Sequence, residues 1–380
     1  MNRLTTSRGE FELARFPEDP RDQLRAWDAA DEYLLRHLDG IDGEPVDLSG
    51  QVVVLGDRWG ALVTALAGCR PTQISDSFLA QEATRANLRR NGAAEAAVHL
   101  LTSRDAPPER IDVLLVRVPK SLALLEDQLH RLAPHVHAGT VVVGAGMVTE
   151  IHTSTLRLFE RILGPTKTSL AAKKARLIHC APDPAIDRGV NPWPLTYALP
   201  DGIGAVSGRT VTSHAGVFCA DRLDVGTRFF LTSLPDRIGP GRVVDLGCGN
   251  GVVGLAAALG GAEVTFVDES HQAVASARAT FEANAGGRAE FVVADGMSGI
   301  PAGSVDVVLN NPPFHTHRAM SDDTAWRMFT GSRAALRRGG ELWVVGNRHL
   351  GYHAKLRRLF GGCEVVASNP KFVVLRAVRR

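Results

Sequence analysis

A short glycine-rich segment sets the strongest limit on how this chain can fold. A short segment that reads as a strand, 242–246, leads into Gly247-Cys248-Gly249-Asn250-Gly251, and an Ala/Leu-rich stretch follows as far as residue 259. Glycines allow the backbone to turn sharply and to approach a ligand closely. The N-terminus of a following helix offers unpaired N–H groups to that ligand. The segment therefore predicts a strand, a cofactor-binding loop and a helix, in that order.

Strand and helix patterns alternate after this loop, and a helix is predicted at about 272–284. Four further strands are predicted at 263–267, 289–293, 305–309 and 341–346. This alternation is typical of a mostly parallel sheet covered by helices. The last two runs, 364–367 and 372–378, are joined by a tight Asn-Pro turn, which predicts an antiparallel C-terminal hairpin at a sheet edge.

The first half of the chain repeats this order in a weaker form. A strand at 52–55 is followed by Gly56-Asp57-Arg58-Trp59-Gly60, a helix, and further alternating strands and helices. Five prolines between 181 and 200 interrupt the pattern, so we expect a linker there. A length of 380 residues suits two domains. The prediction is an α/β protein of two tandem Rossmann-like domains, 1–190 and 195–380.

The acidic residues around the glycine loop at 247–251 favour one cofactor over another. The spacing Gly249-x-Gly251-x-x-Gly254 also matches the dinucleotide fingerprint, which leaves NAD as an alternative. Asp245, however, lies two residues before the first glycine, where it suits a cationic amino-acid group and would repel a pyrophosphate. Asp268 suits ribose hydroxyls, and Asp295-Gly296 suits the adenine amine, so S-adenosylmethionine is favoured. The alternative is that Asp245 and Asp295 only cap loops. The residues predicted to bind the cofactor are Asp245, Gly247, Cys248, Gly249, Asn250, Gly251, Asp268, Asp295, Gly296 and Asn310.

A second loop carries the chemistry of the predicted reaction. The strand 305–309 ends in Asn310-Asn311-Pro312-Pro313-Phe314. The carboxyl end of a parallel strand lines the ligand crevice. There the Asn311 amide oxygen and the Pro312 carbonyl can accept hydrogen bonds from one planar amino group, and an aromatic ring can stack on the plane that carries it. The predicted catalytic residues are Asn311, Pro312, Pro313 and Phe314. A rigid structural turn is the alternative.

Charge and composition narrow the class of protein and its partners. The residues from 325 onward carry 12 basic and 2 acidic side chains, a pattern that suits a polyanion, although a solvated helix face is the alternative. No apolar run reaches the ~18 residues of a membrane span. The mixed charges of 1–25 argue against a signal peptide, and the five scattered cysteines contain no CxxC pair. We expect a cytoplasmic protein that binds neither a membrane nor a metal.

These motifs together resemble one family, the bacterial rRNA guanine-N2-methyltransferases, a branch of the class I S-adenosylmethionine-dependent methyltransferases. The DxGxGxG loop and the Asn-Pro-Pro-Phe loop both match, and so does Phe218-Cys-Ala-Asp221-Arg-Leu223-Asp224-Val-Gly226-Thr227, which is similar to the FxxDxLDxGT segment of that family. The stretch 311–329 is most similar to the large-subunit (RlmG-type) branch. The resemblance implies methylation of the N2 of one guanine in 23S rRNA. A 16S rRNA substrate, and more distantly protein glutamine or DNA adenine, remain alternatives.

The N-terminal repeat departs from the family pattern at both loops. Arg58 and Trp59 stand where glycine repeats are expected, and Arg117-Val-Pro119-Lys120 stands in place of the Asn-Pro-Pro-Phe loop. The resemblance therefore implies a degenerate methyltransferase-like domain that has lost cofactor and catalysis, followed by a catalytic domain.

Overall fold

The computed structural model describes residues 3–20, 22–41, 43–235, 238, 240–313 and 318–380, without the side chains of 318–322. The chain forms two compact units, Met1–Pro192 and Trp193–Arg380. We call them the N-terminal unit and the C-terminal unit, and each has its own sheet and its own core.

The N-terminal unit contains nine strands and five helices within the described part of the chain. The strands are β1 (Arg3–Thr6), β2 (Gly9–Glu12), β3 (Val52–Leu55), β4 (Thr72–Ser75), β5 (His99–Thr102), β6 (Ile111–Arg117), β7 (Val136–Met147), β8 (Thr166–Thr168) and β9 (Ala175–Cys180). The helices are α1 (Ala29–Leu38), α2 (Ala61–Ala65), α3 (Phe78–Arg90), α4 (Leu122–Leu132) and α5 (Thr153–Ile162). Its seven-stranded sheet has the order β5-β4-β3-β6-β7-β9-β8.

The C-terminal unit repeats that arrangement. Its strands are β10 (Leu195–Ala198), β11 (Thr210–Ser213), β12 (Arg242–Leu246), β13 (Glu263–Asp268), β14 (Ala289–Val293), β15 (Val305–Asn310), β16 (Leu336–Asn347), β17 (Glu364–Ser368) and β18 (Phe372–Val378). Its helices are α6 (Val225–Leu231), α7 (Val252–Leu259), α8 (His271–Asn284), α9 (Arg318–Ala335) and α10 (Tyr352–Phe360). The sheet order β14-β13-β12-β15-β16-β18-β17 is the same as in the first unit.

The pairing of these strands confirms the predicted fold class. In the C-terminal sheet β14, β13, β12, β15 and β16 are parallel neighbours, and β18 pairs antiparallel with both β16 and β17. The predicted C-terminal hairpin is therefore present. Its turn is closed by Asn369, whose Oδ1 accepts the backbone N–H groups of Lys371 and Phe372. Such turns are the usual role of an asparagine before proline.

The sheet of the C-terminal unit has one hydrophobic core on each face, because successive side chains of a strand point to opposite faces. Val244 and Leu246 of β12 pack with Phe329 of α9, whereas Val243 packs on the other face with Val253 of α7 and with residues of α8. Because successive strand residues face opposite ways, Asp245 lies on the α7 side. The sheet is thus the middle of three layers, and one carboxylate lies inside a helix-covered face.

The proline-rich segment is not a linker throughout its length. Residues 195–198, inside the predicted linker 181–200, form β10, which pairs antiparallel with β11. This part of the prediction was wrong, because proline ends helices but permits a short two-stranded hairpin between its positions. Among the described residues no helix is long and apolar enough to cross a bilayer.

Candidate functional site

The strand order places the predicted site at the carboxyl ends of the inner strands β12 and β15 of the C-terminal sheet. Strand β12 lies between β13 and β15, so the chain direction across the sheet reverses there. Such a switch point opens a crevice at the carboxyl ends of the strands, where open α/β sheets bind ligands. The glycine loop follows β12 and the Asn-Pro-Pro loop follows β15, so both border this crevice. The backbone oxygen of Asn311 lies 4.0 Å from the position that a Cβ at Gly247 would take.

The glycine loop has a shape that only glycine adopts easily. Gly247, Gly249 and Gly251 have φ of +72°, +53° and +79°. A Cβ at Gly251 would lie 2.8 Å from the Cα of Ala277, so helix α8 packs directly on that residue. A Cβ at Gly249 would meet nothing within 4 Å. The backbone at Gly249 is therefore exposed to open space in which a ligand can approach closely, beside the N-terminus of α7.

Asp245 is buried beneath α7, with 3% of its surface exposed. Its Oδ2 accepts the backbone N–H of Gly254 at 2.8 Å, in the first turn of α7. Burial, together with the charge of the nearby Asp268, raises the pKa of Asp245 to about 8. A cation at this carboxylate would favour its ionised form. The alternative role of Asp245 as a helix cap is thus present, and the proposed contact with a cationic group would be an additional role.

Asp268 braces the glycine loop from the end of β13. Its Oδ2 accepts the backbone N–H of Gly249, and its Oδ1 accepts that of Ser270, both at 3.0 Å. Cys248 is buried beside it, and burial raises the pKa of the Cys248 thiol well above its usual value. The thiol is therefore protonated at neutral pH, which makes it a poor nucleophile.

The remaining predicted cofactor residues have partners that the sequence did not indicate. The Nδ2 of Asn250 donates to the Ser213 hydroxyl at the end of β11. Asp295 forms an ion pair with Arg327 of α9, with Nη1 2.9 and 3.1 Å from the two carboxylate oxygens. Gly296, next to Asp295, has φ of +54° and nothing within 4 Å of a Cβ position. Asp295 and Gly296 both follow the parallel strand β14, and their contact with adenine stays a prediction.

Asn310 joins the ends of β15 and β12. Its side chain is fully buried, and its Nδ2 donates to the carbonyl of Leu246 at 2.8 Å. The same nitrogen lies 3.9 Å from the Sδ of Met328, whose methyl carbon also packs against Gly247. Asn310 is the last residue of β15, one position beyond the predicted end of that strand. Its position suits bracing of the glycine loop.

Asn311 is the first residue of the loop after β15. Its Nδ2 donates to the hydroxyl of Thr227 at 3.1 Å, whereas its Oδ1 is buried and has no hydrogen-bond partner among the described residues. Pro312 is buried and Pro313 is exposed. Phe314 lies outside the described residues. The Asn311 oxygen is thus an available acceptor at the crevice.

Three contacts in this site could not be inferred from the chain. The sequence segments that contain Thr227, Arg327 and Met328 were noted only as parts of a family resemblance. Their partners Asn311, Asp295 and Asn310 are 84, 32 and 18 residues away along the chain. No local pattern indicates such pairs.

The corresponding loop of the N-terminal unit makes side-chain contacts of its own. Asp57 accepts the N–H groups of Ala61 and Val63 at the start of α2, and burial raises its pKa to about 6. Arg58, which stands where the glycine loop of the C-terminal unit has Gly249, forms an ion pair with Glu150 at 2.7 Å. Two N–H donors at the start of α2 are therefore already bonded within the unit, and a charged side chain stands where the C-terminal loop has a glycine.

The C-terminal crevice, in contrast, fits S-adenosylmethionine. The open space over Gly249, the N-terminus of α7 and the acidic residues at the ends of β12 and β13 can hold its charged and hydroxyl groups. No group of three or more His, Cys, Asp or Glu side chains in the described residues could hold a metal ion.

The basic C-terminal region is partly committed to structural contacts. Arg337 pairs with Asp306, and Arg376 pairs with Glu341 and Glu364. Arg357 and Arg358 lie in the last turn of α10 and are both exposed. The surface available to a polyanion is thus smaller than the charge count indicates, and it includes the end of α10.

Two family models match the chain, one on each unit. The RLMG N-terminal domain matches residues 1–184, and the methyltransferase small domain matches residues 208–376. Full-length relatives are closely similar. The ribosomal RNA large subunit methyltransferase G of Streptomyces avermitilis is 74% identical over 379 residues, which cover 99% of each chain. The protein of the same name from Yersinia pestis is 46% identical and covers 100% of this chain and 95% of its own.

A solved structure has the same two-unit fold. The 16S rRNA N2 methyltransferase RsmC of T. thermophilus, in complex with AdoMet and guanosine, superposes with a TM-score of 0.74. The match covers 100% of this chain and 97% of that one, at 21% sequence identity. At this identity the likeness establishes the fold of the chain.

Proposed function

Because the chain belongs to the ribosomal RNA large subunit methyltransferase G family, we propose that it methylates the exocyclic N2 of one guanine in 23S rRNA. Membership of the family makes it a methyltransferase, and S-adenosylmethionine is its methyl donor. The nucleotide, the catalytic residues and the division of labour between the two units are parts of the proposal. The choice of the large-subunit RNA rests on the names of relatives that match along the full length of the chain.

One observation carries the chemistry. The Oδ1 of Asn311 is buried without a partner among the described residues, while its Nδ2 is already bonded to Thr227. A buried acceptor without a donor costs about 1–3 kcal/mol, so this atom calls for an explanation, which a bound substrate would provide. An amino group that enters the crevice would satisfy this oxygen with one of its N–H bonds.

The residues of the loop can prepare an amine for attack. Asn311 Oδ1 and the carbonyl of Pro312 each accept one N–H, which withdraws the nitrogen lone pair from the guanine ring and directs it out of the plane. When bound, S-adenosylmethionine supplies a methyl group on a positively charged sulfur. Phe314, by its place in the motif, stacks on the base. Orientation of this kind supplies much of the rate, and the amine loses its extra proton after transfer.

The cofactor is held by the glycine loop in this proposal. Gly249 allows close approach of the backbone, Asp268 binds the ribose hydroxyls, and Asp295 binds the adenine amine. Asp245 faces the cationic amino-acid group. The ion pair between Asp295 and Arg327 leaves each carboxylate oxygen able to accept a second hydrogen bond, because a carboxylate has about four lone-pair sites.

The N-terminal unit is assigned no catalytic role. In its loop after β3, Asp57 accepts a backbone N–H at the start of α2 and Arg58 pairs with Glu150. Arg117 stands at the position that Asn311 has in the C-terminal unit. The basic end of α10 supports binding of the phosphates that flank the target guanine. Because ribosomal RNA is the proposed substrate, we place the protein in the cytoplasm.

Methyl transfer to ribosomal RNA tests the proposal directly. The full chain and the Asn311→Ala variant are incubated with labelled S-adenosylmethionine and with rRNA from a strain that lacks the corresponding gene. We expect N2-methylguanine at one position of 23S rRNA, and a single-turnover rate about 10²-fold lower in the variant, the loss typical of one well-placed polar group.

Other outcomes identify which part of the proposal fails. Label in 16S rRNA would overturn the choice of RNA, and label on adenine or on protein would overturn the choice of substrate. Full activity of both Asn311→Ala and Asn310→Ala would show that the loop has another role.

A further inference from the structure

The Asp224, Thr227 and Asn311 side chains form a chain of hydrogen bonds that ends at the proposed target site. Asp224 caps helix α6, and its Oδ2 accepts the backbone N–H of Thr227 at 2.9 Å. The same oxygen accepts the Thr227 hydroxyl at 3.3 Å. The oxygen of that hydroxyl accepts the Nδ2 of Asn311 at 3.1 Å.

The chemistry of the three groups fixes the direction of each bond. A carboxylate only accepts, so the Thr227 hydroxyl must donate its one hydrogen to Asp224. The hydroxyl oxygen is then available only as an acceptor to Asn311. The amide of Asn311 must therefore turn its NH₂ group toward Thr227, and its oxygen away from it.

We propose that Thr227 is a positioning residue for methyl transfer, because its hydroxyl holds the Asn311 amide in the one orientation that presents Oδ1 to the target amine. The inference rests on the proposed function and adds a residue to it. If the amide turned over, its NH₂ group would face the incoming amine, and two donors would oppose each other.

The N-terminal unit contains the same contact in another chemical form. Asp28 caps α1 and Asp31 follows three residues later, as Asp224 and Thr227 do in α6. Helices α1 and α6 occupy matching places, since α1 packs on β7 and β9 and α6 on β16 and β18. Arg117, which follows Val116 of β6, occupies the place that Asn311 has after Asn310.

In that unit the partners are charged. The Nε of Arg117 lies 2.7 Å from Asp31, and its Nη2 lies 2.9 Å from Asp28. The guanidinium is 1% exposed. In both units the third residue after the helix cap holds the side chain at the end of a parallel strand. Asp31 holds Arg117 at the end of β6, and Thr227 holds Asn311 just after β15. Only the C-terminal unit has a hydroxyl there, which leaves an acceptor available on its partner.

Two substitutions at one position separate positioning from general stability. Thr227→Val keeps the shape and removes the hydroxyl, whereas Thr227→Ser keeps the hydroxyl. We expect Thr227→Val to lower the single-turnover rate of methyl transfer about tenfold or more, the size typical of a buried N–H that loses its acceptor. Thr227→Ser should stay within about threefold of the wild type. Thr232→Val, at the exposed residue that follows the end of α6, controls for the loss of a threonine hydroxyl.

A double-mutant cycle shows whether Thr227 acts through Asn311. If it does, Thr227→Val combined with Asn311→Ala should be no slower than Asn311→Ala alone, because both lesions remove the same interaction. Affinities for rRNA and for S-adenosylhomocysteine should stay within a few-fold of the wild type. Additive rate losses, or a rate loss matched by weaker binding of S-adenosylhomocysteine, would overturn the proposal. A wild-type rate in Thr227→Val would do the same.

A measurement without catalysis keeps this inference separate from the proposed function. The side-chain amide signals of Asn311 in a ¹H–¹⁵N spectrum are identified by their loss in Asn311→Ala. They should shift in Thr227→Val and remain in place in Thr227→Ser and Thr232→Val. Unchanged signals in Thr227→Val would overturn the positioning role even if the wild type methylates 23S rRNA. A wild type that transfers no methyl group overturns the proposed function and, with it, the catalytic meaning of Thr227.

Discussion

Substitution of Gly249 by alanine separates the cost of backbone strain from the loss of a cofactor site. Gly249 has φ of +53°, in the left-handed region, and a Cβ there meets no protein atom within 4 Å. Alanine in this region costs about 1–2 kcal/mol. In a unit of this size that corresponds to a fall in melting temperature of about 2–4 °C per kcal/mol. The fold should therefore tolerate the change.

The added methyl group should nevertheless block the ligand. It would project into the open space where the backbone of the glycine loop meets the cofactor. We expect the affinity for S-adenosylhomocysteine to fall at least tenfold, which is about 1.4 kcal/mol. Isothermal titration calorimetry measures this affinity, and thermal unfolding measures the strain. Asp268→Ala would be less informative, because Asp268 also accepts the N–H of Gly249 and its loss would loosen the loop.

Gly303→Ala provides the matched control. Gly303 has φ of +68° and also nothing within 4 Å of a Cβ position, but it lies before the amino end of β15, at the opposite edge of the sheet. The two variants should lose similar stability, and only Gly249→Ala should lose affinity. Wild-type affinity in Gly249→Ala, or an equal loss of affinity in both variants, would refute the assignment of the glycine loop as the cofactor site.

Three further predictions follow from charge and burial. The free energy of unfolding of the wild type should fall relative to that of Asp245→Asn as pH rises from about 4 to about 8, by at most about 1.4 kcal/mol per pH unit. Burial raises the pKa of Asp245 to about 8, so the folded state binds an extra proton in that range. Parallel pH curves from urea denaturation would contradict this. The double variant Arg357→Glu with Arg358→Glu should weaken RNA binding but leave the affinity for S-adenosylhomocysteine unchanged. The salt dependence of RNA binding should flatten by about 0.7 log units per tenfold salt for each phosphate that the variant no longer neutralises. Filter binding at several salt concentrations measures the affinity and its slope, and an unchanged slope would show that this surface is not part of the interface. The full chain should bind one equivalent of S-adenosylhomocysteine in calorimetry, because Asp57 already takes two N–H donors at the start of α2 and Arg58 replaces the glycine of the loop. Two equivalents would show that the N-terminal unit also binds the ligand.

Much of the architecture follows from local patterns in the chain. The strand at 242–246, the glycine loop after it and the C-terminal hairpin were all predicted, because periodicity and the backbone freedom of glycine act over a few residues. The α10 helix and the hairpin formed by β10 and β11 were not. In β10 a strand of four residues between prolines has too few positions to show an alternating pattern.

The sequence predicted that the glycine loop and the Asn-Pro-Pro loop both line a ligand crevice, and the pairing of β12 with β15 brings the two loops together. The contacts of each residue there depend on the tertiary structure. Asp245 lies under α7 because strand alternation and helix packing bury it together. The Asn311 amide has its oxygen available because Thr227, 84 residues earlier, takes its nitrogen. Arg117 is an ion-pair residue because Asp28, 89 residues earlier, meets it. Contacts between residues so far apart depend on how the helices pack on the sheet, and no pattern of neighbouring residues encodes them.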